Sequence, residues 1–217
     1  MIREISEDEL KLMLKQIELF GIPVVYHYRR HKLEIQHNES SSGIEISLPI
    51  HLKFPDLSPA MVIILLIQSG HSAIGLMDQG LLLDHKVIST YMVRKKQGKS
   101  QVKYLKTKGK SRAGSRIRLA NTTRFFENIN QRLQGYFRIH HIDRIAMSCS
   151  KTLLPFLFSS RVSCPFDKKD ERIYGIPKHV HRPNFSVLKN IRHFLIRIEM
   201  EYEAEDQILV NDLLSRL

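Results

Sequence analysis

The sequence predicts a mixed α/β fold, a sheet of antiparallel and parallel strands with helices on its faces and a small α+β addition in front. Three observations predict it. Residues 61–67, MVIILLI, form a continuous apolar run suited to a strand covered on both faces. Turn signals at Gly70 and at Asp78-Gln79-Gly80 cut the residues that follow into further strands. Beyond residue 118, apolar stripes of helical spacing alternate with short strand-like runs.

Taken in order, residues 3–20 read as an amphipathic helix. Ser6 and Glu9 stand at capping-box spacing, and Glu7 and Asp8 suit the positive helix start. Leu10, Met13, Leu14, Ile17 and Phe20 recur on one face, and Gly21 and Pro23 supply the stop. Residues 23–52 alternate apolar and polar on either side of NESSSG, which predicts a hairpin packed on this helix. Pro49, Pro55 and Pro59 punctuate a linker. Residues 61–93 follow as an antiparallel meander whose third strand runs straight into a basic segment. A helix is expected over 118–134, with Leu119, Phe125 or Phe126, Ile129 and Leu133 on one face and Gly135 as its end. A strand over 142–149, a short helix over 151–158 capped by Ser150, and a strand over 172–176 come next. A helical stripe over 184–199 follows, and then a last amphipathic stretch in which Ile208, Leu209, Leu213 and Leu217 pack on the domain. The expected organisation is 1–58, a helix plus hairpin; 59–203, the main domain with a basic loop at 94–117; and 204–217, a helical tail.

A hydrophobic content of 42% is enough for a core. The formal net charge of +12 points to a polyanionic partner, RNA, DNA or anionic lipid. Lipid is the weakest of the three, because the longest apolar run is too short to cross a bilayer. The N-terminus, MIREISEDEL, has no apolar signal region, and Cys149 and Cys164 have no metal-binding spacing; both fit a cytoplasmic protein in a reducing compartment, and a monomer is expected. His140 with His141, and His179 with His181, lack acidic or thiol partners at ligand spacing, so no metal and no cofactor is expected.

The charge is concentrated. Between Arg94 and Arg118 there are eleven Lys or Arg and no Asp or Glu: Arg94, Lys95, Lys96, Lys99, Lys103, Lys106, Lys108, Lys110, Arg112, Arg116 and Arg118. Charge alone is equally compatible with a solvated basic loop and with a nucleic-acid contact. Within it stands Gly98-Lys99-Ser100-Gln101. Ser100 has no nucleophile-elbow context and no nominated base, and the segment holds no carboxylate for general-base work. It does offer backbone donors, cations and one neutral amide. Gly98 permits close backbone approach to a ligand. Gln101 presents an acceptor and a donor, so it can orient a water or a ribose hydroxyl without abstracting a proton. The cations would hold an RNA backbone and offset charge that develops during reaction. Tyr104 is equally suited to stacking on a base and to packing.

The segments GLMDQGLLLDHKVISTYMVRKKQGKSQ and KSRAGSRIRLANTTRFFENINQRLQ resemble the Vms-type release factors, relatives of the central domain of archaeal and eukaryotic peptide-chain release factors. The resemblance covers residues 60–135 well and returns weakly at 172–188; it leaves 1–58 unexplained. It implies an RNase H-like mixed sheet with a G-x-x-Q loop after a hairpin, and makes 59–203 a release-factor-like catalytic domain. It also implies an activity, freeing a nascent chain from peptidyl-tRNA on a stalled large ribosomal subunit, by hydrolysis of the peptidyl ester in some members and by cutting the tRNA before its CCA end in others. On this resemblance the motif's glycine and glutamine fall on Gly98 and Gln101, and the family's arginine falls on Arg94. These three are the expected catalytic residues. The remaining cations of the segment, with Ser100, are the expected RNA contacts. Many relatives have Gly-Gly-Ser-Gln where this chain has Lys99 in second place, which narrows the turn's backbone freedom and adds a charge beside the substrate. The rival readings are a non-catalytic ribosome-binding module and a tRNA endonuclease.

Overall fold

The computed structural model describes residues 1–36, 43–90 and 110–215, with 110–119 described as helical backbone only. The chain forms two compact units, Met1–Ala60 with Ile191–Leu217, and Met61–Asn190. Each is a five-stranded sheet with helices, so the fold is mixed α/β.

In the first unit, β1 (Ile2–Ile5), β2 (Val24–His27), β3 (Lys32–Ile35), β4 (Ile44–Ser47) and β10 (Ile198–Glu201) lie in the order β1-β10-β4-β3-β2, all pairs antiparallel. Helix α1 (Glu7–Leu19) starts at the expected capping box: Ser6 Oγ accepts from Glu9 N–H at 3.2 Å, and the Glu9 carboxylate accepts from Ser6 N–H at 2.7 Å. Those Ser6 bonds hold the Glu9 carboxyl below its ordinary range. Leu10, Met13 and Ile17 bury against Leu33, Ile35, Ile44, Ile46 and Met200. The first residues of the expected helix, 3–5, belong instead to strand β1, because β10 pairs with them. Beyond the expected hairpin there is a second one, β2 with β3. It closes on His31, at φ 52°, which is buried with Nδ1 2.8 Å from Tyr26 Oη and Nε2 3.1 Å from the Pro49 carbonyl.

In the second unit, β5 (Val62–Gln68), β6 (His71–Asp78), β7 (Leu81–Ser89), β8 (Arg144–Cys149) and β9 (Ile173–Gly175) lie in the order β7-β6-β5-β8-β9. The meander 5-6-7 is antiparallel, and β8 and β9 join in parallel. Helix α2 (Lys110–Ile139) covers one face: Phe125, Phe126, Ile129, Leu133 and Tyr136 bury against Ile63, Leu65, Ile74 and Leu76. The short α3 (Leu154–Phe158) adds Leu157 to this core. Cys149, at the end of β8, and Cys164, in the loop after α3, are half-buried thiols, and burial pushes them up to about 12 and about 11.

Four helix expectations need correction. Gly135 does not end α2, because Tyr136 extends the buried stripe through it. The helix begins at Lys110, so 110–117 are helical rather than loop. The predicted helix 151–158 begins only at Leu154, without a side-chain cap from Ser150. The stripe 184–199 divides into α4 (Phe185–Leu195) and β10, because Ile198 lies three residues past Leu195 and two before Met200, and so fits both periods. β10 pairs with β4 and β1, and the second compact unit spans Met61–Asn190. In the tail, α5 (Gln207–Leu214) buries Val210 and Leu213, whereas Ile208 is 75% exposed rather than packed.

Candidate nucleic-acid interface

The site begins where β7 ends. Arg94, Lys95, Lys96, Gly98, Lys99, Ser100, Gln101, Lys103, Tyr104, Lys106 and Lys108 lie outside the described residues. What the fold supplies is the mounting at both ends of that segment. On the entry side is β7, whose Thr90 N–H donates to the Gly70 carbonyl at 2.8 Å. On the exit side is α2, whose first nine residues carry Lys110, Arg112, Arg116 and Arg118 and whose first turn has no acid. A helix N-terminus favours anions. Among the described side chains of α2, the buried stripe begins at Phe125. At 1.5 Å per residue, roughly 22 Å of helix precede it.

Around the end of β7 polar and basic side chains stand beside apolar Val87 and Ile88. His71 Nδ1 lies 3.2 Å from Ser89 Oγ, and burial first, then the nearby Arg182, holds the His71 ring below its ordinary pKa. Arg132 of α2 pairs with Asp84 of β7, and its guanidinium lies 4.7 Å from the Tyr136 ring centre. His85 stacks on Phe185 at 4.2 Å, with Lys189 Nζ 4.9 Å from that ring. A groove of about 800 Å³ runs beside residues 85–89 and α2. None of these groove residues was singled out in the sequence, since 85–89 and 128–132 meet only through the packing of α2 on β7. Among the described residues no three His, Cys, Asp or Glu come together as a metal-holding group. His179 and His181 meet edge to face at 4.5 Å. No helix among the described residues is long and apolar enough to cross a membrane.

A basic segment therefore stands in the chain between the edge strand of a mixed sheet and the helix that covers it. A family model described as Bacteroidetes VLRF1 release factor matches residues 62–203, and the chain belongs to that family. It is 24% identical over 160 residues to a Mus musculus protein named tRNA endonuclease ANKZF1, across 70% of this chain and 21% of that protein. The chain thus spans about a fifth of the length of that curated relative. A solved structure titled Vms1 mitochondrial localization core aligns over 93% of this chain and 92% of its own, at 14% identity and a TM-score of 0.46.

Proposed function

We propose that the protein is a ribosome-rescue release factor that frees the nascent chain from peptidyl-tRNA on stalled large ribosomal subunits in the cytoplasm. The observation that carries this reading is the release-factor family match over 62–203, which encloses the whole basic segment and both of its mounts. In this reading Gln101 positions the attacking water or ribose hydroxyl, and Gly98 lets the backbone close on the substrate. Arg94 orients the CCA end. Lys95, Lys96, Lys99, Lys103, Lys106, Lys108, Lys110, Arg112, Arg116 and Arg118, with Ser100, hold RNA phosphates. The segment has no carboxylate, so the substrate's own hydroxyls carry part of the proton traffic. Residues 1–58 dock on ribosomal RNA or protein, and the protein acts as a monomer.

A second reading, scission of the tRNA before its CCA end, is favoured by the name of the mouse relative. The two differ in product. Stalled ribosome–nascent-chain complexes are incubated with the wild-type chain, Gln101→Ala and Arg94→Ala, and the released peptide is weighed. Release that is lost in both variants while ribosome binding persists supports the proposal. A peptide carrying three extra nucleotides assigns the phosphodiester, and a bare peptide assigns the ester. Wild-type protein that binds and releases nothing would make it a non-catalytic module.

A further inference from the structure

We infer that the groove along the outer edge of β7 is a cleft for an unpaired RNA strand. This deepens the release-factor proposal and rests on it, since the strand would be the acceptor end of the tRNA that the 94–118 segment addresses.

The argument starts from the sheet edge. β7 is the end strand of its sheet. Its Thr90 N–H reaches β6, so by antiparallel alternation Ser89, Val87 and His85 turn their backbone groups outward. The groove floor is therefore a row of peptide donors and acceptors, of which the His85 N–H is already taken by Asp84 Oδ1. Its wall is one face of α2, where exposed Asn128 and Gln131 stand beside Arg132, with exposed Arg124 one turn earlier. Lys86 adds a third cation. None of the lining residues is acidic, and Asp84 next to them is bonded to Arg132 and to the His85 N–H.

Those groups match the surfaces of a single strand. Asn128 and Gln131 each donate and accept, as base edges require, while Lys86 and Arg124 suit phosphates, Arg132 being engaged by Asp84. At one end His85 is exposed, and its ring already belongs to a stack with Phe185 and the Lys189 ammonium. A base laid on His85 would extend that stack, and the cation behind it would strengthen it. A peptide added as a further strand is the rival occupant of any sheet edge. Here Asp84 Oδ1 takes the His85 N–H at 2.6 Å, Lys86 flanks the edge, and the wall is polar. The first two are features that deter strand addition. The chain's +12 charge favours RNA further.

The test is fluorescence anisotropy of the full chain with a labelled single-stranded oligoribonucleotide ending in CCA, over a series of salt concentrations. The double variant Asn128→Ala/Gln131→Ala should raise Kd about tenfold, as lost base-edge bonds do, with an unchanged salt slope because no charge is removed. Lys86→Ala should weaken binding and reduce the salt slope by about 1. Lys169→Ala, an exposed charge away from the groove, should change Kd less than about twofold. The cleft is overturned by a double variant that binds as the wild type does, by a wild-type Kd weaker than about 10⁻⁴ M, or by a groove that takes a labelled extended peptide in preference to the RNA. The two proposals fail separately: the release proposal through peptide release by Gln101→Ala, and the cleft through the RNA affinity of the double variant.

Discussion

Asn130 shows how a single polar side chain holds the second unit together. It is fully buried on α2, and its amide donates to the Leu157 carbonyl at 2.9 Å and the Val162 carbonyl at 2.8 Å. Asn130→Ala leaves both carbonyls without that donor and should cost about 1–3 kcal/mol in denaturant unfolding. Gly75 is a case of tight space. A Cβ there would lie 2.7 Å from Leu82 Cδ1, the end of a half-exposed side chain that can turn aside, and 3.3 Å from the methyls of the fully buried Leu188, so Gly75→Ala should destabilise by about 1 kcal/mol in the same measurement. Asp170 supplies a pH dependence. It receives Arg172 Nε at 2.9 Å and Arg172 Nη2 at 2.6 Å, and that pairing holds its carboxyl below the ordinary value of 3.8. A depressed folded-state value means stability that is present above the unfolded pKa and lost as pH falls through the folded one. Asp170→Asn should therefore flatten the wild-type loss of stability below about pH 4, measured by thermal melts across pH.

At the scale of the element, α2 decides most. Phe125 and Phe126 are both 1% exposed and meet edge to face at 5.2 Å. Phe125→Ala should cost about 3–5 kcal/mol and speed amide exchange along α2. The helix's apolar stripe was legible in the sequence, and so was the capping box of α1, because both depend on spacing within one segment. The helix ends were not. Lys110–Arg118 shows no apolar stripe to mark it as helix, and Gly135 looks like a stop until Tyr136 is known to be buried behind it. Likewise β1, with its two charged central residues, has no strand signal of its own and exists because β10 lies beside it.

At the scale of the whole molecule, the first unit is closed by residues from the far end of the chain. β10 lies between β1 and β4, and Met200 is fully buried there. Met200→Asp, which places a carboxylate in that core, should expose 1–60 to limited proteolysis while 61–190 stays protected. Such long-range closure has no sequence signature, which is why the end of the chain reads as a tail. The candidate site divides the same way. The G-x-x-Q frame and the cationic run were legible because their chemistry is contiguous. The groove was not, since its two sides are some forty residues apart in the chain.

The central claim is that a neutral amide at position 101 works by holding reactants in place, and Gln101→Glu tests it most directly. The substitution keeps the side chain's size, removes the donor and introduces a general base. With ribosome occupancy matched by sedimentation, the account predicts that the peptide-release rate of Gln101→Glu falls to that of Gln101→Ala. Release at or above the wild-type rate would mean that position 101 can serve as a base, and would contradict it.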